Sequence, residues 1–233
     1  MRFPVLALLS LVSITGIFAQ GVPVISIAGQ PFSAEETTVR VPAANVRNVL
    51  PRQTTRIYRD FAGRTRTDTW TPASLIDGSF ISIDDPGAGV HYSLDTKNKI
   101  ARRFLFPAAA PGQTPSTVTL VSSLYCKFGP PCPVTRAESL GTKVIEGLAT
   151  DGQRSTTVSP AGAPGGGGWT AVVESWYSAE LRVILLMKES NSLGTGTTRL
   201  ENINRAEPDP LLFQVPPDYT IVEEPANQAV LSR

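Results

Sequence analysis

Histidine occurs once in these 233 residues, and cysteine and methionine only twice each. A single imidazole, His91, leaves a zinc site short of ligands and gives a Ser-His-Asp hydrolase only one candidate base. Alternation places His91 beside Ser93 and Asp95 on the more polar side of a strand, where a surface residue is expected rather than a catalyst. No serine sits in a G-x-S-x-G elbow, and no lysine lies three residues after a serine. Calcium-loop spacing is missing too, so Asp60 and the Asp84-Asp85 pair read as turn carboxylates. The run Gly165 to Gly168 lacks the Lys and Ser/Thr of a phosphate loop and reads as a hairpin tip. No pair of carboxylates is singled out for glycosidase chemistry. The chain is therefore expected to be non-enzymatic, with no catalytic residue, metal or cofactor.

Charge is sparse and balanced. Only 18% of residues are charged, 21 basic against 20 acidic. Nucleic acid would require a basic stripe to displace counterions, and a polyanionic membrane surface would require basic clusters. Neither is expected as a main partner.

Long apolar runs are confined to the start. Arg2, the apolar stretch Val5 to Ile14 and the exit Gly16-Ile-Phe-Ala19 read as a secretory signal peptide over 1–19, cleaved after Ala19. An uncleaved anchor helix is the alternative, though the stretch is short against the roughly twenty residues a span needs. Export places the product in the periplasm or outside the cell, where two cysteines pair. Cys126 and Cys132 would close a small loop around Gly129-Pro130-Pro131, worth roughly 2 kcal/mol on the chain-entropy model.

What the chain has in quantity is turn chemistry, with 20 Pro and 19 Gly among few helix formers. Residues 20–31 read as a flexible leader. Strands are expected over Phe32–Val41, Arg52–Arg59, Arg64–Trp70, Phe80–Asp84, Val90–Asp95 and Ile100–Phe106. Val90, Tyr92 and Leu94 share one face. A Pro-, Ala-, Ser- and Thr-rich insertion spans 107–136 and holds the cysteine loop; within it Val118–Tyr125 fits either a helix or a strand. Further strands are expected from Glu138, over Leu148–Ser159, Trp169–Tyr177 and Thr195–Ile203. Trp176 to Lys188 carries the longest later apolar run, and its Val183 and Ile184 favour a central buried strand. Leu211 to Tyr219, bounded by prolines, reads as an apolar plug over one edge of the core, and 224–233 as a disordered tail.

Three patterns in succession resemble the LolA-like superfamily of periplasmic lipoprotein carriers. They are Gly63-Arg-Thr-Arg66, Val90-His-Tyr-Ser-Leu-Asp95 with Ile100, and Leu200-Glu-Asn-Ile-Asn204 with Asp209-Pro-Leu-Leu-Phe-Gln-Val-Pro-Pro217. The resemblance runs from Phe32 to Glu223 and is closest to uncharacterised exported bacterial proteins of that type. It implies a mainly β fold, a single curved antiparallel sheet forming a half-barrel with few or no helices. It also implies a lipid, a lipoprotein acyl chain or another apolar ligand on the concave face. The candidate apolar face is then Tyr92, Leu94, Trp176, Val183, Leu185 and Met187, with Ile184 and Leu186 turned the other way. The carriers close the half-barrel with helices locked by an arginine; no amphipathic helix is evident here and no arginine matches that lock. The regulatory members of the superfamily imply the other reading, a sensing or interaction module that binds an envelope protein through the 107–136 insertion or the Gly-rich tip.

Overall fold

The computed structural model describes residues 28–44, 46, 52–71, 78–105, 131–161 and 168–225. The expected signal peptide, Cys126, most of the 107–136 insertion and the Gly-rich tip at 162–167 lie outside the described residues.

The fold is mainly β, one curved, unclosed sheet of twelve strands. Six strands come first: β1 (Phe32–Pro42), β2 (Gln53–Arg59), β3 (Thr65–Thr71), β4 (Gly78–Asp85), β5 (Val90–Asp95) and β6 (Ile100–Leu105). Five follow: β7 (Val134–Ile145), β8 (Leu148–Ser159), β9 (Trp169–Ser178), β10 (Val183–Asn191) and β11 (Gly194–Asn204). Each set is a meander in which consecutive strands pair antiparallel, as short polar turns between alternating segments dictate. The two meanders join where β1 pairs with β11. After a 3-10 turn at Pro210–Phe213, β12 (Thr220–Glu224) adds to the far edge, parallel to β6. That strand has no alternating apolar pattern to announce it. Ion pairs of Lys99 with Asp218, Arg102 with Glu224 and Arg103 with Glu223 line its seam instead.

The apolar run at Trp176–Lys188 is a hairpin rather than one strand. β9 ends at Ser178, residues 179–182 turn, and β10 begins at Val183. β10 is interior to the sheet, and Val183, Leu185 and Leu186 are buried.

Neighbouring residues of β2 show how the core is divided. Ile57 belongs to a cluster with Phe32, Ala34, Leu148, Leu181, Val183, Leu185 and Leu200. Tyr58, pointing the other way, packs against a cluster of Ile83, Leu94, Ala101 and Phe213. The sheet is thus buried on both faces, in different places. The Tyr58 face is covered over β4 to β6 by Leu212, Phe213, Val215 and Tyr219, the segment that reads as a plug in the sequence.

The Gly63-Arg-Thr-Arg66 turn holds that plug in place. Gly63 has φ of 86°, which glycine adopts at no steric cost. Buried Asp60 accepts from the Arg64 backbone N–H at 2.8 Å and from Arg64 Nε at 2.6 Å. The Arg64 guanidinium then lies over the Phe213 ring, 5.1 Å from its centroid. Arg66, oriented by Asp68, donates to the Leu212 carbonyl at 2.9 Å. Glu207 accepts from the Phe61 N–H through both carboxylate oxygens. Two motifs 150 or so residues apart in the chain therefore meet, through charge-assisted bonds to backbone groups.

The alternating Thr and Arg of this hairpin have the composition of a solvated face, yet Thr55, Thr65 and Arg59 are buried. Arg59 has no exposed surface. Its Nε donates to the Gln30 carbonyl at 2.8 Å, its Nη2 to the Leu181 carbonyl at 2.5 Å, and its guanidinium lies 4.7 Å from the Phe32 ring centroid. Desolvation lowers its pKa to about 10, so it remains charged at neutral pH.

Candidate functional site

The six residues expected on one apolar face divide evenly between two. Val183, Leu185 and Met187 alternate along β10, and Met187 pairs across to Thr198 and on to Thr38. That row belongs to the Ile57 face. Tyr92 and Leu94 pair through Ile83 and Ile81 to Arg66 and Asp68, on the Tyr58 face beneath the plug. Trp176 pairs with Leu186, placing it on the Tyr58 face as well. A register shift between Ile184 and Leu186 separates it from the Val183 series. Alternation within each strand was legible, but the face shared between strands depends on pairing register, which one sequence does not display.

Four of the six are also spent on packing. Val183, Leu185 and Leu94 are core residues, and Tyr92 packs against the second cluster. Trp176 and Met187 stay partly exposed.

Trp176 owes its position to a glycine. Gly152 of β8 is its cross-strand partner, and a Cβ there would lie 2.5 to 2.8 Å from ring carbons of Trp176. The indole occupies the space that a side chain at residue 152 would need, and Lys143 Nζ sits 3.6 Å from the ring centroid. Burial, with nearby Lys188, lowers the Lys143 pKa. We predict that Gly152→Ala displaces the indole, red-shifts tryptophan emission and costs about 1–3 kcal/mol by overpacking. An emission spectrum matching wild type would contradict this geometry.

Met187 stands across from Ser175 at the border of a groove of about 440 Å³. Ala137, Ser139, Asp151, Gln153, Ser175 and Tyr177 line it. The registers Met187–Ser175, Ser175–Gln153 and Gln153–Ser139 make its floor one row of the Ile57 face. Hydroxyl, amide and carboxylate groups thus dominate, the carboxylates being Asp151 and Glu138, with Tyr177 the large apolar component and Met187 adjoining. On the same face Glu189 lies opposite Gly196, and burial raises its carboxyl pKa, an effect opposed by Arg40.

His91 is half-buried, its Nδ1 2.8 Å from Asp84 Oδ1 and its ring tilted against Phe104 at 5.6 Å. The carboxylate orients the imidazole without bringing it to the groove. Asp60 and Asp95 serve turns: Asp60 holds Arg64, and Asp95 accepts from the N–H groups of Lys97 and Asn98. The bonds to Asn98 keep the Asp95 carboxyl below its usual range. No group of three or more potential metal ligands occurs among the described residues. No helix among them is long and apolar enough to cross a membrane.

No protein-family model and no curated protein matches the chain. Solved structures do. The lipoprotein LppX of Mycobacterium tuberculosis is 12% identical, with 75% of this chain and 87% of that chain covered at a TM-score of 0.32. A LolA superfamily protein of Nitrosomonas europaea is 7% identical, with 82% and 92% covered at 0.37. LprF of Mycobacterium bovis is 13% identical, with 77% and 90% covered at 0.31.

Proposed function

We propose that this is an exported, non-catalytic binding protein that holds a lipid or another apolar ligand on the Ile57 face of its open sheet. The observation that supports this reading is the groove beside Met187. It is an open concavity in a sheet of this curvature, and it sets hydroxyl, amide and carboxylate groups beside Tyr177, with Met187 at its border. Such a surface suits an amphipathic molecule, with its polar part against Ser139, Gln153 and Ser175 and its chain along Tyr177 and Met187. Burial of the chain would contribute about 0.8 kcal/mol per methylene without covalent chemistry. The two cores are already filled by their own side chains, which leaves open surface such as this groove for a ligand. The signal peptide over 1–19 and a Cys126–Cys132 disulfide are part of the same proposal.

Uptake of a fluorescent fatty-acyl probe by delipidated protein tests it. Saturable binding is expected, weakened roughly ten-fold by Met187→Glu, since a carboxylate beside the chain must be desolvated. Delipidated wild type that takes up no probe sinks the reading.

A further inference from the structure

β7 is the last strand of the sheet, and among the described residues nothing pairs with its outer side. Such an edge, twelve residues long, offers a ladder of backbone donors and acceptors to another chain. Side chains on this edge specify which chain.

On the Tyr58 face, one cross-strand row runs Lys188, Glu174, Arg154, Glu138 from β10 out to β7. The charges alternate along it. Arg154 bridges its two neighbours, with Nη2 2.6 Å from Glu174 and Nη1 2.8 Å from Glu138. The row thus stops at the open edge on a carboxylate, and the next position beyond it calls for a cation.

We infer that β7 pairs antiparallel with β7 of a second copy, about a two-fold axis through Ala137, so that Arg136 of each copy extends the charge row of the other. Two identical antiparallel strands keep their faces aligned only when paired residues have the same parity, which restricts the axis to a residue position. An axis at Arg136 sets two arginines together and one at Glu138 sets two glutamates together, both repulsive. An axis at Ala137 sets Arg136 against Glu138 twice and Thr135 against Ser139 twice. Beyond Ser139 the bulge, with Leu140 as its extra residue and Gly141 at φ of 76°, ends the straight part of the edge. The result is one sheet continuous through both copies.

Sedimentation equilibrium on the full mature chain reads this directly. Wild type is expected at twice the chain mass, with dissociation favoured by salt. Arg136→Glu and Glu138→Arg alone should each weaken the dimer roughly ten-fold, because two attractions become two repulsions. Combining them should restore it, although Glu138→Arg still faces Arg154 within its own chain; recovery therefore reports the contact between copies. An independent readout is oxidative cross-linking, in which Ala137→Cys forms a covalent dimer and Val144→Cys, past the bulge, does not. A wild type that stays monomeric at the highest attainable concentration overturns the inference. So does a dimer indifferent to the single reversals, one that the double reversal fails to rescue, or cross-linking at residue 144 in preference to 137.

Discussion

Replacing Arg59 with methionine is expected to destabilise the protein by roughly 2–5 kcal/mol, a loss measurable as a lower denaturation midpoint at unchanged slope. Arg59 is fully buried and satisfies the carbonyls of Gln30 and Leu181, which belong to different parts of the chain. Methionine fills similar volume against Phe32 and leaves both acceptors without the guanidinium. Burial of the charge already works against folding, as its depressed pKa shows, so the stabilising contribution lies in the bonds rather than in the charge. Lysine should recover part of the loss, since one ammonium reaches a carbonyl but lacks the fork that spans two. A methionine variant as stable as wild type would mean that water or backbone adjustment satisfies those carbonyls.

Phe213→Ala is the second large effect, about 3–5 kcal/mol. The ring is 5% exposed and closes the cluster formed by Ile83, Leu94 and Ala101. Its removal leaves a cavity under the plug and takes away the surface on which Arg64 rests. Hydrogen exchange should then accelerate over 209–224 and along β6, while β8 to β10, in the other cluster, keep their protection. Uniform loss of protection across both meanders would show the two cores to be one cooperative unit.

Local pattern and tertiary pairing were legible to different degrees. The hairpins could be read closely, since Val90–Asp95 and Leu148–Ser159 coincide with β5 and β8 and the neighbouring turns carry Gly, Pro, Asn or Asp. The plug was visible as an apolar run between prolines. Arg59 was not, because nothing distinguishes a buried arginine in a polar strand from a solvated one until Phe32 and Leu181 are brought to it. Met187 alternates with Val183 and Leu185 along β10, whereas Trp176 stands across from Leu186, because the shift between Ile184 and Leu186 changes which residues face each other. The groove was missed altogether: Ser139, Gln153 and Ser175 have no local signature and become a site only by adjacency of three strands.

The order of pairing also dictates when the molecule can be completed. A nascent chain can build β1 to β6 as it emerges, each hairpin closing on its predecessor. The outer side of β1 nevertheless waits for β11, with Thr38 meeting Thr198, and the outer side of β6 waits for β12, with Arg103 meeting Glu223. Until the last strands arrive, the first half carries two raw edges and an uncovered Leu94. That is the interval in which such a chain is most exposed to wrong partners, and in which a holding chaperone would matter most.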